Sequence, residues 1–189
     1  MAVRRRLQLP VLLLLLWTAT AIFPAPASPV ASTEYQVKAA FLYNFAKFVE
    51  WPPEAFPDGR PFVIGILGQD PFGSALDEAV SGKTIRERRI SVRRFSRLDE
   101  AADAHILFIS DSEGEALPRI LKRLGSAPVL TVSDLPRFAE QGGMVQLVME
   151  QSRVRFAINV ASVERAGLKP SSQLLKLARI VNGQPPIVE

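Results

Sequence analysis

Side chains able to do chemistry are few in this sequence. His105 is the only histidine and cysteine is absent. Thiol nucleophiles and cysteine-ligated metals are therefore excluded, and one imidazole cannot supply the usual zinc set. A Ser-His-Asp triad would have to use His105, yet that residue opens the apolar run His105-Ile106-Leu107-Phe108-Ile109, and no G-x-S-x-G elbow occurs anywhere. The expected role is structural, a strand-end histidine making a local hydrogen bond. Gly68-Gln69-Asp70-Pro71-Phe72-Gly73 has the glycine spacing of a phosphate loop. Ser74-Ala75 stands where Lys-Ser/Thr is required, however, and the G-x-G-x-x-G of dinucleotide sites is missing too. A capped turn opening a helix is what remains, able to hold an anion only weakly.

Ser110-Asp111-Ser112 and Ser133-Asp134 each follow an apolar run. Both are ordinary helix caps, and both also lie just beyond the carboxyl ends of strands, where open α/β sheets bind ligands. The candidate ligand loops are therefore those around Asp70, Ser110, Ser133 and Asp134. Asp111, Glu113 and Glu115 lack the spacing of a calcium loop. Asn159, beside Phe156 and Ile158, is expected to be a satisfied or outward-facing polar group. No catalytic set, cofactor or metal is expected, and the chain is not expected to be an enzyme.

These residues need elements to position them. A helix is expected from Ser32 or Thr33 to Trp51, with Thr33 as N-cap and Glu34 in the first turn; Val37, Phe41, Phe45, Phe48 and Val49 recur at helical steps, and Pro52-Pro53 stops it. Tyr35, Phe41, Tyr43, Phe45, Phe48 and Trp51 make this segment so aromatic that it either packs wholly on its own sheet or supplies an interface to a partner or second copy. Phe62–Leu67 is a continuous apolar run, as in a strand covered on both faces. Helix 72–80, strand 90–95, a short helix 97–102, strand 105–109, helix 113–124, strand 128–132 and a helix capped by Ser133-Asp134 through Glu140 follow. Strands 144–149 and 154–160 form a hairpin around Glu150–Arg153, and helices 161–166 and 171–181 close the chain. Alternating units imply one α/β domain of three layers, with a mostly parallel sheet of about six strands and an antiparallel hairpin near its C-terminal part.

Residues 1–27 read as a cleavable secretory signal: Arg4-Arg5-Arg6, a largely apolar run Leu7–Phe23 without charge, then Pro24-Ala25-Pro26-Ala27 with small residues at the cleavage positions. A retained anchor would need about 20 predominantly apolar residues, and this run contains Thr18 and Thr20 and closes on two prolines. The expected domain is 33–182, with a short tail at 183–189. The whole chain has 23 Lys+Arg against 19 Asp+Glu. Without the three signal arginines the excess falls to one, which removes the case for nucleic-acid binding. Arg86, Arg88, Arg89, Arg93 and Arg94 cluster locally, and strand alternation places some of them on a solvent face. With no cysteine, neither a disulfide nor a lipid-bearing cleavage site is possible. Signal and composition together point to the periplasm.

Longer segments carry a resemblance. Glu34–Pro52, Ile64–Gly68 followed by Asp70–Gly73, His105–Ser110, Val129–Asp134, Phe138-Ala139 with Gly142–Met144, Phe156–Asn159 and Ser171–Ala178 resemble, in order, the YfiR family of bacterial periplasmic proteins. The resemblance covers nearly all of 34–181. It implies a non-enzymatic α/β protein that tends to dimerise. It further implies binding and repression of the periplasmic sensory part of a membrane-bound diguanylate cyclase or related sensor, with lower cyclic-di-GMP and restrained biofilm formation. The best-known members carry disulfides that report redox state; this sequence has no cysteine, so such switching cannot operate here. The alternative from the residues alone is a periplasmic small-ligand binding module using the loops around Asp70, Ser110 and Ser133.

Overall fold

The computed structural model describes residues 29–57 and 59–182; the expected signal and tail lie outside them. The first element is α1 (Pro29–Phe48), which leads directly into β1 (Val49–Glu50). Thr33 and Glu34 therefore sit inside the helix rather than at its cap, and proline, whose fixed φ suits a first helical position, opens it instead. The helix ends before Trp51 because Val49 and Glu50 pair antiparallel with β9 (Lys169–Pro170).

The remaining elements are β2 (Phe62–Leu67), α2 (Ala75–Val80), β3 (Thr84–Ile85), β4 (Arg88–Phe95), β5 (Ile106–Ile109), α3 (Leu117–Leu124), β6 (Leu130–Ser133), β7 (Val145–Glu150), β8 (Arg153–Ile158), α4 (Val160–Arg165), α5 (Ser172–Leu177) and β10 (Arg179–Ile180). Eight strands form one sheet in the order β10-β8-β7-β6-β5-β2-β4-β3. Its pairings are parallel except at the two hairpins, β3–β4 and β7–β8. The mixed α/β class is as expected, but six strands was two too few. The extra two, β3 and β10, are each two residues long and carry no alternation to read.

Strand β2 is buried along its whole length. Phe62, Ile64 and Ile66 join one apolar cluster with α1 and α2, while Val63 and Leu67 join a second with α3, Phe95 and Phe138. This two-sided burial is why the run lacks alternation. The layers are unequal: residues of α1, α2, α4 and α5 enter the first cluster, whereas α3 is the α-helix that enters the second. Gly65 faces the second cluster, where an added Cβ would lie 2.6 Å from Phe95 Cε2 and 3.0 Å from Leu107 Cδ1. Glycine is what lets Phe95 close over the sheet.

Three further boundaries differ from expectation for local reasons. Residues 134–140 form turns instead of a helix: Leu135 N–H donates to Ser133 Oγ, Arg137 adopts φ 59°, and the reversal buries Phe138 and Ala139 completely. The segment before α3 is a separate 3-10 turn at Asp111–Glu113, so α3 begins at Leu117, with Pro118 in its first turn. Helix α5 stops at Leu177 because Ala178 turns extended and Arg179-Ile180 adds to β8. The β7–β8 hairpin is as read, with Gln151 and Ser152 both at positive φ in the turn.

Candidate functional site

The strand ends bring Asp70, Ser110, Asp111, Ser133 and Asp134 to the carboxyl edge of the sheet. Chain order reverses between β2 and β5, the topological switch point where such sheets bind ligands. Here the switch point is filled by the chain itself. Ser112 Oγ accepts a hydrogen bond from Gln69 N–H at 2.9 Å, and Gly68, at φ 89°, leaves room for Ser112 and Glu113 that a side chain would take. Asp70 caps Phe72 N–H at 2.7 Å and pairs with Arg94, which is also held by Asp77. These carboxylates push the Arg94 pKa above its ordinary value; the Asp77 hydrogen bond is the largest cause. Ser110 Oγ donates to Asp111, and buried Ser133 Oγ donates to Ile109 O at 2.6 Å.

Asp134 is the residue at this edge that joins two elements. Its Oδ2 accepts from Lys38 Nζ at 2.6 Å and from Tyr35 Oη at 2.9 Å, and Lys38 also contacts Glu34 Oε1 at 2.6 Å. The Lys38 side chain is 4 % exposed, with its ammonium 4.3 Å from the Tyr35 ring centroid. Burial, then the negative charge of Asp134 and its hydrogen bond, raise the Tyr35 pKa, so its phenol stays protonated and donating. Tyr35 meets Phe72 edge-on, and Phe72 meets Phe108. The cluster thus ties the first half of α1 to the β6–β7 connection. Both carboxylates are committed to Lys38, so the cluster is built as a tie, and its outer side, with Asp111 and Gln146, lines an open concavity.

Lys38 is absent from the candidate residues read from sequence, although a signal existed. Lys38, Leu42 and Phe45 are spaced i, i+4 and i+7, so a lysine lies in the buried stripe of α1. A cation there requires a partner, and Glu34 is one turn away.

At the opposite edge, His105 is buried between Phe56 and Phe62, with ring centroids 5.1 and 4.5 Å away. Its Nδ1 accepts Val63 N–H at 3.1 Å, so Nε2 carries the proton and donates to Ala55 O at 2.9 Å. Burial lowers its pKa below the ordinary imidazole value. Trp51 Nε1 donates to the His105 carbonyl at 3.2 Å. Asn159 is satisfied: its amide donates to Ala139 O and its oxygen caps α4 at Ser162 N–H. Among the described residues no three His, Asp or Glu side chains are grouped to hold a metal ion.

Of the six aromatic residues expected to offer an interface, Phe45 and Trp51 are buried within the chain. Tyr35, Phe41, Tyr43 and Phe48 are half-buried and pack against the core. Phe41 and Phe45 both pack on Phe156 of β8.

A family model described as YfiR/HmsC-like matches residues 35–179. The chain belongs to the YfiR/HmsC-like family. The match runs from Tyr35 of the carboxyl-edge cluster to the first residue of β10, so both Lys38 and His105 lie within the YfiR/HmsC-like region. A solved structure, the ABC domain in complex with L-Trp from Streptococcus pneumoniae, is similar at 13 % identity and a TM-score of 0.48, over 80 % of this chain and 60 % of that one. The chain thus spans less than two thirds of that structure's length, and a likeness so distant does not bear on ligand or function.

Proposed function

We propose that this chain is a periplasmic signalling regulator that binds the sensory part of a membrane-bound diguanylate cyclase and holds it inactive, lowering cyclic-di-GMP and biofilm formation. The observation that carries the reading is the YfiR/HmsC-like match across 35–179. The polar groups at the carboxyl edge, engaged with one another, are consistent with it. Regulation of this kind needs only that one receptor state bind better than the other. A coupling of about 1–3 kcal/mol changes activity about 5–150-fold.

In this reading the mature domain is 33–182, exported by residues 1–27, and the partner meets the half-buried rings of α1: Tyr35, Phe41, Tyr43 and Phe48. A homodimer could use the same face. The alternative small-ligand module has less support, because Asp70, Ser110, Ser133 and Asp134 are each engaged by groups of the same chain. A thermal-shift screen separates the two, since a ligand at about 100 times its Kd stabilises by about 2.7 kcal/mol. Capture from detergent-solubilised membranes is the direct test. The wild-type chain is expected to retain a diguanylate cyclase, and folded Tyr43→Asp to lose it. Capture of no cyclase would overturn the function, and unchanged capture by the variant would overturn the interface.

A further inference from the structure

We propose that the β3–β4 end of the molecule rests on an anionic phospholipid surface. From Ala79 to Leu98 the chain carries seven cations and one acid, Glu87, whereas the rest of the sequence has more Asp+Glu than Lys+Arg. Two of these cations, together with one from α1, are held on rings in a distinctive way. Lys47 and Lys83 approach the Tyr43 ring, with Nζ 5.7 and 4.2 Å from its centroid, and Arg86 lies 4.9 Å from the Phe56 centroid. Among the described residues none of the three makes an ion pair, although all are exposed. Arg94, farther along in β4, is by contrast clamped between Asp70 and Asp77.

The geometry favours a leaflet over a discrete anion. Arg60, Arg86, Arg88 and Arg89 line one open pocket beside the turn, but Lys47 and Lys83 lie outside it on the Tyr43 ring, so the cations spread over two rings rather than around one phosphate-sized point. Tyr43 and Phe56 are half-buried, each with one side on the core and another under cationic stems. Aromatic rings beside Lys and Arg suit the boundary between headgroups and acyl chains, where amphipathic rings and snorkelling cations settle. An acidic protein surface would answer the charge alone, without using the rings. Tyr43 is shared with the proposed receptor face, but vesicles contain no receptor and so test the lipid contact by itself.

The test is cosedimentation of the exported chain with phosphatidylglycerol-phosphatidylcholine vesicles and with pure phosphatidylcholine vesicles. Binding is expected only to the anionic vesicles, with loss at about 1 M salt, where the screening length is about 3 Å. Each Lys or Arg near an anionic leaflet contributes about 1 kcal/mol, so Lys83→Gln/Arg86→Gln should weaken partitioning about 30-fold. Arg119→Gln/Arg165→Gln, which removes two exposed cations elsewhere, should leave it unchanged. No binding to anionic vesicles, equal binding to neutral ones, equal loss in both double variants, or displacement by millimolar glycerol phosphate would each overturn the proposal.

Discussion

Replacing Asp134 with alanine removes one of two carboxylates from Lys38 and the acceptor of the Tyr35 hydroxyl. The side chains of Lys38, Glu34 and Asp134 are 4 %, 24 % and 14 % exposed, so the ammonium is deep while its partners reach toward water. Stranding a fully buried charge costs about 3–5 kcal/mol. Glu34 stays at 2.6 Å in the variant, which retains part of the pairing and lowers the expected loss. A hydrogen bond to a charged group contributes about 1.5–3 kcal/mol, and two end here, so a net loss of about 2–3 kcal/mol is expected. In a domain of this size that corresponds to a Tm lower by about 4–12 °C. Urea unfolding followed by Trp51 fluorescence measures it. Lys38→Met/Asp134→Leu removes the buried ammonium with its nearer partner and leaves Glu34, 24 % exposed, to water, so it should recover part of the loss, less the lost acceptor of Tyr35. A loss under about 0.5 kcal/mol in Asp134→Ala, or a double variant as unstable as the two single losses added, would refute the buried tie.

Protonation of His105 is coupled to folding, and the sign is set by its lowered pKa. The unfolded ring takes its proton near pH 6.5 and the folded ring only at lower pH, so stability is full above about 6.5 and falls as pH drops toward the folded value, by at most about 1.4 kcal/mol per pH unit. Urea midpoints between about pH 5 and 7 should show this slope, and His105→Gln should lose it. Gly65→Ala should cost about 1–3 kcal/mol, measured by the same unfolding, since its methyl meets Phe95 and Leu107. Arg88 donates to the carbonyls of Phe56, Pro57 and Arg60 at 3.2, 2.7 and 2.8 Å. Arg88→Lys cannot reproduce that fork, and limited proteolysis should cut the 53–61 segment faster than in wild type.

Strands such as Phe62–Leu67 and His105–Ile109 were legible because they are continuous apolar runs bounded by turn residues, whereas Arg88–Phe95 showed as alternation of apolar and polar residues. The hairpin at 150–153 was legible from the polar break between two apolar runs. What was hidden depended on distant contacts. Strand β3 is two residues beside the charged turn Arg86-Glu87, which carries none of the usual glycine or asparagine signal yet places both residues at positive φ. Strand β10 looks like the end of a helix until Ala157 and Ile158 offer it an edge. The absence of a helix at 134–140 follows from Phe138 having a core position to fill. At the carboxyl edge, Asp134 was read as a cap or a ligand group. Its actual partner is a lysine 96 residues earlier, and only the packing of α1 across the sheet brings them together.

The central claim is repression of a diguanylate cyclase from outside the inner membrane, and cyclic-di-GMP in intact cells reports it most directly. Deleting the gene should raise the nucleotide and increase biofilm, and re-expression of the exported wild-type chain should restore both. Unchanged cyclic-di-GMP after deletion, in cells where the protein is shown to be present beforehand, would contradict the account.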